Sequence, residues 1–371
     1  MFSKKKQNQG SCLPHSEAHS GSGVASDIRF HLGVWALILL LLCTVILAAG
    51  IGAVHISAKA IVSMLLNHVG ITHLPQTWAG SDETIILQIR LPRVIAAAFV
   101  GAAFSIAGAL FQGLLRNPMA DPYVIGTSGG AALGATIGLL LSAHFSILGF
   151  GIVPALAFVG ALATVIVVYR ISRVGGRTPV VTLLLAGFAV SVILGYTMSF
   201  LLIVNDRLQL NIRFIYSWLL GGISVTSWPQ VGVIAFLVLA AGAISLTLGR
   251  SLNALSLGDE TAEHLGIPVE RHRAALIVLG SILTAAAVSG GGLIGFVGLI
   301  VPHGLRLIFG PNHTRLLPLA GLGGATFLVT ADLLSRVVIP PTELPVGILT
   351  AFVGGPAFLF LLRRSKREYR F

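Results

Sequence analysis

Ten stretches of this chain are long and apolar enough to cross ~30 Å of hydrocarbon, which takes about 20 helical residues. They lie at about 34–54, 94–114, 124–143, 149–169, 179–203, 229–249, 274–290, 293–309, 317–337 and 345–362. In lipid, each backbone N–H and C=O must be satisfied within the protein, which leaves helices or closed barrels. Runs of this length predict an all-α polytopic membrane protein with about ten transmembrane helices in one bundle. Gly290-Gly291-Gly292 divides the seventh run from the eighth, so nine and eleven are the neighbouring counts. Composition agrees: 10% of the 371 residues are charged, against roughly 25% in soluble domains.

The net charge of +11 could suggest nucleic acid, but the basic residues are scattered between apolar runs. In a membrane chain such an excess sets topology, and no nucleic-acid partner is expected. With ten spans and the N-terminus inside, inner segments carry 18 Lys and Arg. The outer ones carry 6: Lys59, Arg90, Arg93, Arg207, Arg213 and Arg336. Both termini are therefore expected in the cytoplasm. Trp35, Trp78, Trp218 and Trp228 fall at or beyond span ends, as interfacial anchoring predicts. Residues 1–33 read as a polar, disordered cytoplasmic tail, 34–364 as the transmembrane domain and 365–371 as a basic cytoplasmic tail. The leader ahead of the first run is too long for a signal peptide, and that run spans a full bilayer.

Several motifs carry little chemistry. Gly126, Gly130, Gly134 and Gly138 form a stripe for close helix packing, expected inside the chain's own bundle rather than at a subunit interface. Gly126-Thr127-Ser128-Gly129 and His303 could suggest a membrane serine protease, which needs a nucleophile beside a base. Small residues at a helix start explain the motif better. A proton-coupled secondary transporter needs mid-membrane ionisable groups. The candidates are Asp121, in a proline-flanked loop, and Asp332, placed four residues before Arg336 to pair with it. Cys12 and Cys43 make no disulfide framework. No GxxxxGK[ST] phosphate loop or zinc motif occurs, so no cofactor is expected in this chain.

Against this background, SLGDETAEHLGIPVERHR (Ser256–Arg273) places four of the 13 acidic residues in a short island. Asp259 and Glu260 suit a helix N-terminus, and Gly266-Ile267-Pro268 is a stop signal. The spacing predicts a helix of about two turns, with Leu255, Leu257, Ala262 and Leu265 on one apolar side. A solvated loop is the plainer alternative; a short capped helix with an apolar side is a docking element.

The chain resembles the FecCD-type permeases, membrane subunits of ABC importers for ferric siderophores, haem and cobalamin. The resemblance runs from about 34 to 364. It is carried by RLPRVIAAAFVGAAFSIAGALFQGLLRNPMADPYVIGTSGGAALGA from Arg90, the island, GFVGLIVPHGLRLIFGPNHTRLLP from Gly295, and ADLLSRVVIPPTELPVG from Ala331. It implies a type II ABC importer permease of ten helices in a bacterial plasma (inner) membrane. Its implied partners are two copies of an ABC ATPase, an extracytoplasmic substrate-binding protein and a second permease chain, with a homodimer expected. The implied cargo is a chelated iron complex, such as a siderophore or haem, or cobalamin. The island becomes the ATPase-coupling element, with Gly258, Asp259, Ala262, Glu263, Leu265, Gly266 and Ile267 as its residues. Arg90, Arg93 and Arg336 match the family's outward arginines that receive acidic residues of the binding protein. A secondary transporter of a small organic solute is the alternative function.

Overall fold

The computed structural model describes residues 20–52, 56–68, 70, 78–141 and 146–365. Its helices are α1 (Ser20–Gly50), α2 (Ala58–His68), α3 (Gly80–Thr84), α4 (Leu91–Leu114), α5 (Thr127–Leu141), α6 (Ile152–Ser172), α7 (Val180–Val204) and α8 (Asp206–Leu210). There follow α9 (Ile212–Leu219), α10 (Trp228–Thr247), α11 (Gly249–Leu257), α12 (Asp259–His264), α13 (Val269–Gly291), α14 (Val297–Phe309), α15 (His313–Val337) and α16 (Val346–Ser365). Among the described residues the strands are a two-residue antiparallel pair, Ser146–Ile147 with Phe150–Gly151.

All ten expected spans are present as helices. Seven are long and apolar enough to cross a membrane, and α5, α14 and α16 are shorter apolar helices. Gly292, at φ +66°, ends α13 and separates the seventh span from the eighth. The N-terminal boundary differs: residues 20–33, expected in a disordered tail, are the first turns of α1. An ion pair from Asp27 to Arg315 ties this extension to the bundle, and Gly33 lies against the Phe309 ring. Residues 1–19 of that tail, and all but Ser365 of the 365–371 segment, lie outside the described residues.

The helices sort into centre and periphery. In α4 and α13 about three quarters of the apolar window is buried inside the chain, 72% and 78%, against 11% for α1 and α7. A helix apolar all round must face protein or lipid; α4 meets protein, while α7 leaves Leu185, Phe188, Tyr196 and Phe200 exposed. Glycine permits the central contacts. A Cβ on Gly108 would collide with the Gly298 backbone of α14, and one on Gly101 with the Gly324 backbone of α15. The Gly130–Gly134–Gly138 stripe lies against the α6 backbone at Gly160, Leu156 and Val153, so its packing is internal, as expected. Gln112, buried in this centre, donates to the carbonyls of Gly298 (3.3 Å) and Leu299 (3.0 Å).

Two parts between spans had no counterpart in the sequence reading. Ile61 and Met64 of α2 join Ile86, Leu87 and Leu91 in a separate small core. A π-helical turn, Ile85–Arg90, then feeds α3 into α4 and sets the positions of Arg90 and Arg93.

Candidate functional site

The island folds as expected in outline. α11 ends at Gly258, whose φ of +130° only glycine adopts without strain. Asp259 and Glu260 occupy the first turn of α12. Its end is a Schellman motif: Gly266, at φ +77°, donates to Glu263 O (2.9 Å) and Ile267 to Ala262 O (3.0 Å).

The apolar side divides in two, and this corrects the single stripe expected from spacing. Leu255 and Ala262 are buried against the bundle, whereas Leu257 and Leu265 are 71% and 63% exposed. Leu255 and Leu257 lie about 200° apart around α11 and cannot share a face, and the Gly258 turn puts Ala262 and Leu265 on a separate helix and its cap. Ala262 therefore anchors the island from inside. Glu263, Leu265 and Gly266 are exposed, Gly258 and Asp259 half-buried, and Ile267 packs against the core edge.

Ion pairs within the island and to the α4–α5 connection, and one hydrogen bond to the start of α7, hold it in place. Asp259 takes a hydrogen bond from Arg116, in the α4–α5 connection, and one of 2.7 Å from Arg273 of α13. Arg273, itself 4% exposed, also bonds Glu270. Glu270 accepts the Thr178 amide (3.1 Å) at the start of α7. Burial alone would raise the Asp259 carboxyl, but the Arg273 and Arg116 guanidiniums outweigh it and hold the group below the usual carboxylate range. Of these partners Glu270 and Arg273, three apart on one helix, had a visible signal. Arg116 and Thr178 lie far away in sequence and had none.

At the opposite ends of the spans, Arg90, Arg93 and Arg336 do gather, around a cavity of about 420 Å³ also lined by Gly52, Pro341 and Glu343. They are not equivalent. Arg90 is 8% exposed and donates to the carbonyls of Ala49 (2.8 Å) and Gly50 (3.1 Å). Arg336 donates to Ala48 O (3.0 Å). These two arginines cap the last turn of α1, where unpaired carbonyls and the helix dipole favour cations. Arg93 instead bridges Asp332 (3.0 Å) and Glu343 (2.9 Å), and keeps 23% of its side chain exposed. Arg336 Nε stands 3.2 Å from Asp332 Oδ2, the expected i, i+4 pair. Glu343 was missed by sequence because it follows α15 across a proline turn.

The competing chemistries find no constellation. Among the described residues no hydrogen bond joins Ser128 to His303, and no three His, Cys, Asp or Glu side chains group as a metal site. Asp121 caps a 3-10 turn by accepting the Tyr123 amide (2.9 Å), and Asp332 is held between two arginines.

A bundle of ten apolar helices with a capped polar element between the sixth and seventh has known counterparts. The description "FecCD transport family" matches residues 39–364. The chain is 46% identical over 288 residues to the cobalamin import permease BtuC of Halobacterium salinarum, covering 78% of this chain and 75% of that one. It is 41% identical over 292 residues to the hemin permease HmuU of Yersinia pestis, covering 76% and 84%. A metal-chelate type ABC transporter, solved in an inward-facing conformation, superposes with a TM-score of 0.76 at 30% identity, over 89% of this chain and 98% of that one. This protein is thus a transport permease subunit of an ABC importer and belongs to the FecCD transport family.

Proposed function

We propose that two copies of this chain form the membrane pathway of an importer for a metal chelate, driven by two copies of a separate ATPase and loaded by an extracytoplasmic binding protein. The observation that carries this reading is the island. It is clamped to the bundle by Asp259, Arg273 and Arg116, yet holds Leu257 and Leu265 out into solvent. An exposed leucine on a rigid, capped helix suits insertion into a partner's cleft, and the ATPase is that partner. A rigid anchor also lets motion at the cleft reach α4, α7 and α13 together.

The lysine and arginine balance supports the island's side as cytoplasmic, with both termini there, in a bacterial plasma membrane. The arginine cluster then faces the binding protein. ATP hydrolysis belongs to the partner, and this chain holds no cofactor. Relatives named for cobalamin and hemin support a metal-bearing tetrapyrrole as cargo, with a ferric siderophore as the next candidate.

Proteoliposomes holding the permease, its ATPase and its binding protein test the reading with radiolabelled cobalamin, haem and a ferric siderophore. We expect ATP-dependent accumulation of one tetrapyrrole. Accumulation driven by a proton gradient without the ATPase would establish secondary transport instead.

A further inference from the structure

Glu270 ties the island to the start of α7. It lies in the first turn of α13, which begins at Val269, two residues after Ile267. One carboxylate oxygen pairs with Arg273, the partner of Asp259. The other accepts the backbone amide of Thr178 at 3.1 Å, across 92 residues of sequence. Thr178 is fully buried, and Pro179 alone separates it from Val180, the first residue of α7. A chain of contacts thus runs from Asp259 through Arg273 and Glu270 to the backbone that starts α7.

The receiving end is stiff. Val174 and Arg177 exchange backbone bonds of 2.9 and 3.1 Å, closing a two-residue turn on Gly175 and Gly176. Proline at 179 fixes φ, so a displacement of Thr178 passes to α7 rather than being absorbed by the connection. Among the described residues one other polar contact joins this turn to the island, Arg177 with Glu263 at 4.0 Å. Those side chains are 77% and 54% exposed, and exposed pairs contribute little.

The helices at the two ends differ in how they are held. Most of the apolar window of α13 is buried inside the chain, against 11% of that of α7. Within this chain α7 can therefore shift with little repacking, while α13 moves only with the close-packed core.

Resting on the island as the ATPase contact, we infer that Glu270 is a positioning residue for transport, which hands the island's displacement to the start of α7. Coupling of this kind is a free energy shared between two places that move together. A plainer role exists for the same carboxylate: an anion in the first turn of α13, three residues before Arg273, stabilises that helix. The two roles part on chemistry. The helix-stabilising anion needs its charge, whereas the link needs an acceptor oxygen for the Thr178 amide. Thr178 Oγ1 is buried without a partner, so the amide, and not the hydroxyl, makes the link.

The test uses the full-length permease with its ATPase in proteoliposomes, in a Cys12→Ser, Cys43→Ser background. A spin label at Glu260→Cys, exposed on α12, reports the island, and one at Leu185→Cys, 63% exposed, reports α7. Both spectra should differ between the nucleotide-free and the vanadate-trapped complex. Glu270→Ala should keep the response at 260 and shrink that at 185 about ten-fold, the size that a lost charge-assisted hydrogen bond carries. Glu270→Gln keeps an acceptor without the charge, and its response should stay within about two-fold of the parent. Thr178→Pro deletes the amide and should match Glu270→Ala, and the two together should do no more than either. Thr178→Val should respond as the parent does. Equal losses in Glu270→Gln and Glu270→Ala would assign the carboxylate to helix stability. With the label at 260 responding, a parent silent at 185, or an undiminished response there in Glu270→Ala, would overturn the link. A parent silent at 260 would instead remove the ATPase contact itself, and the link with it.

Discussion

The two charged regions at opposite ends of the bundle use the same residue types in opposite ways. At the island, charges point inward to hold a short helix while its leucines point out: Asp259 reaches back to Arg273, and Leu265 is 63% exposed. At the arginine cluster the charges satisfy the bundle itself. Arg90 and Arg336 close the end of α1, and Asp332 is 0% exposed between Arg93 and Arg336. The island is a presented surface, and the cluster is mostly a lock, with Arg93 and Glu343 as its accessible part. The comparison separates binding energy from stability, and substitutions at the two ends should separate them too.

The largest effect is expected at Leu265→Asp. Burying a leucine in a partner cleft is worth about 1.5–3 kcal/mol, and the new carboxylate would be enclosed without a partner, costing several kcal/mol more. Leu265 touches no core in the chain itself, so insertion and membrane level should match wild type. Co-purification with the ATPase and uptake should both be lost. A normal complex with normal uptake would return the island to a solvated loop.

At the other end Asp332→Ala should act on the fold. Removing one member of a buried ion pair costs about 3–5 kcal/mol, because the remaining charges are left without compensation. Arg93 and Arg336 would then face each other across a cavity. The expected readout is a lower thermal inactivation temperature and reduced membrane level, with ATPase binding by the surviving protein intact. Loss of ATPase binding at wild-type stability would contradict the division into surface and lock.

Arg90→Glu and Arg93→Glu sharpen the division within the cluster. Sequence placed Arg90, Arg93 and Arg336 as three equivalent docking charges, because position along the chain shows which side of the membrane they reach and nothing of which carbonyl they meet. Arg93→Glu should slow binding-protein association by about one decade at low salt and shrink its salt dependence, as rim charges do. Arg90→Glu should chiefly loosen α1, since it removes two hydrogen bonds to carbonyls worth about 1.5–3 kcal/mol each. Surface plasmon resonance against immobilised binding protein and thermal stability together distinguish them. Equal loss of association rate in both variants would restore the equivalence.

The bundle itself was readable because each apolar run carries its own helix in lipid, whatever it packs against. The cap of α12 was readable for the same reason, since Gly258, Asp259 and Gly266 act within a few residues of one another. What could not be read depended on distant neighbours. Leu255 and Leu257 are two residues apart on α11, about 200° around the helix, so their opposite sides follow from the period itself, and only which side meets the bundle is decided by distant neighbours. The start of α1 at Ser20 depends on Arg315, far along the chain. Residues 85–90 form a π-helical turn that no periodicity marks.

The smallest effect concerns how firmly the island is held. The Arg116–Asp259 pair is 39% and 45% exposed, and exposed pairs contribute about 0–1 kcal/mol. The Arg273 contact adds to it from a buried guanidinium. Because the folded Asp259 carboxyl lies below its usual value, its contribution is complete above the unfolded value of about 3.9 and is lost only as pH falls through the lowered one. Amide exchange at Leu265 and Gly266, measured by mass spectrometry on the full chain, should thus keep its protection factor from neutral pH down to about pH 5. Protection should fall only in stronger acid. Asp259→Asn should show the acid-weakened state already at neutral pH, with protection reduced about five-fold or less, as a loss of up to ~1 kcal/mol implies. If protection drops by about pH 5 in the wild type, or Asp259→Asn leaves it unchanged, Asp259 is not the anchor and the island is held by Ala262 and Leu255 packing alone.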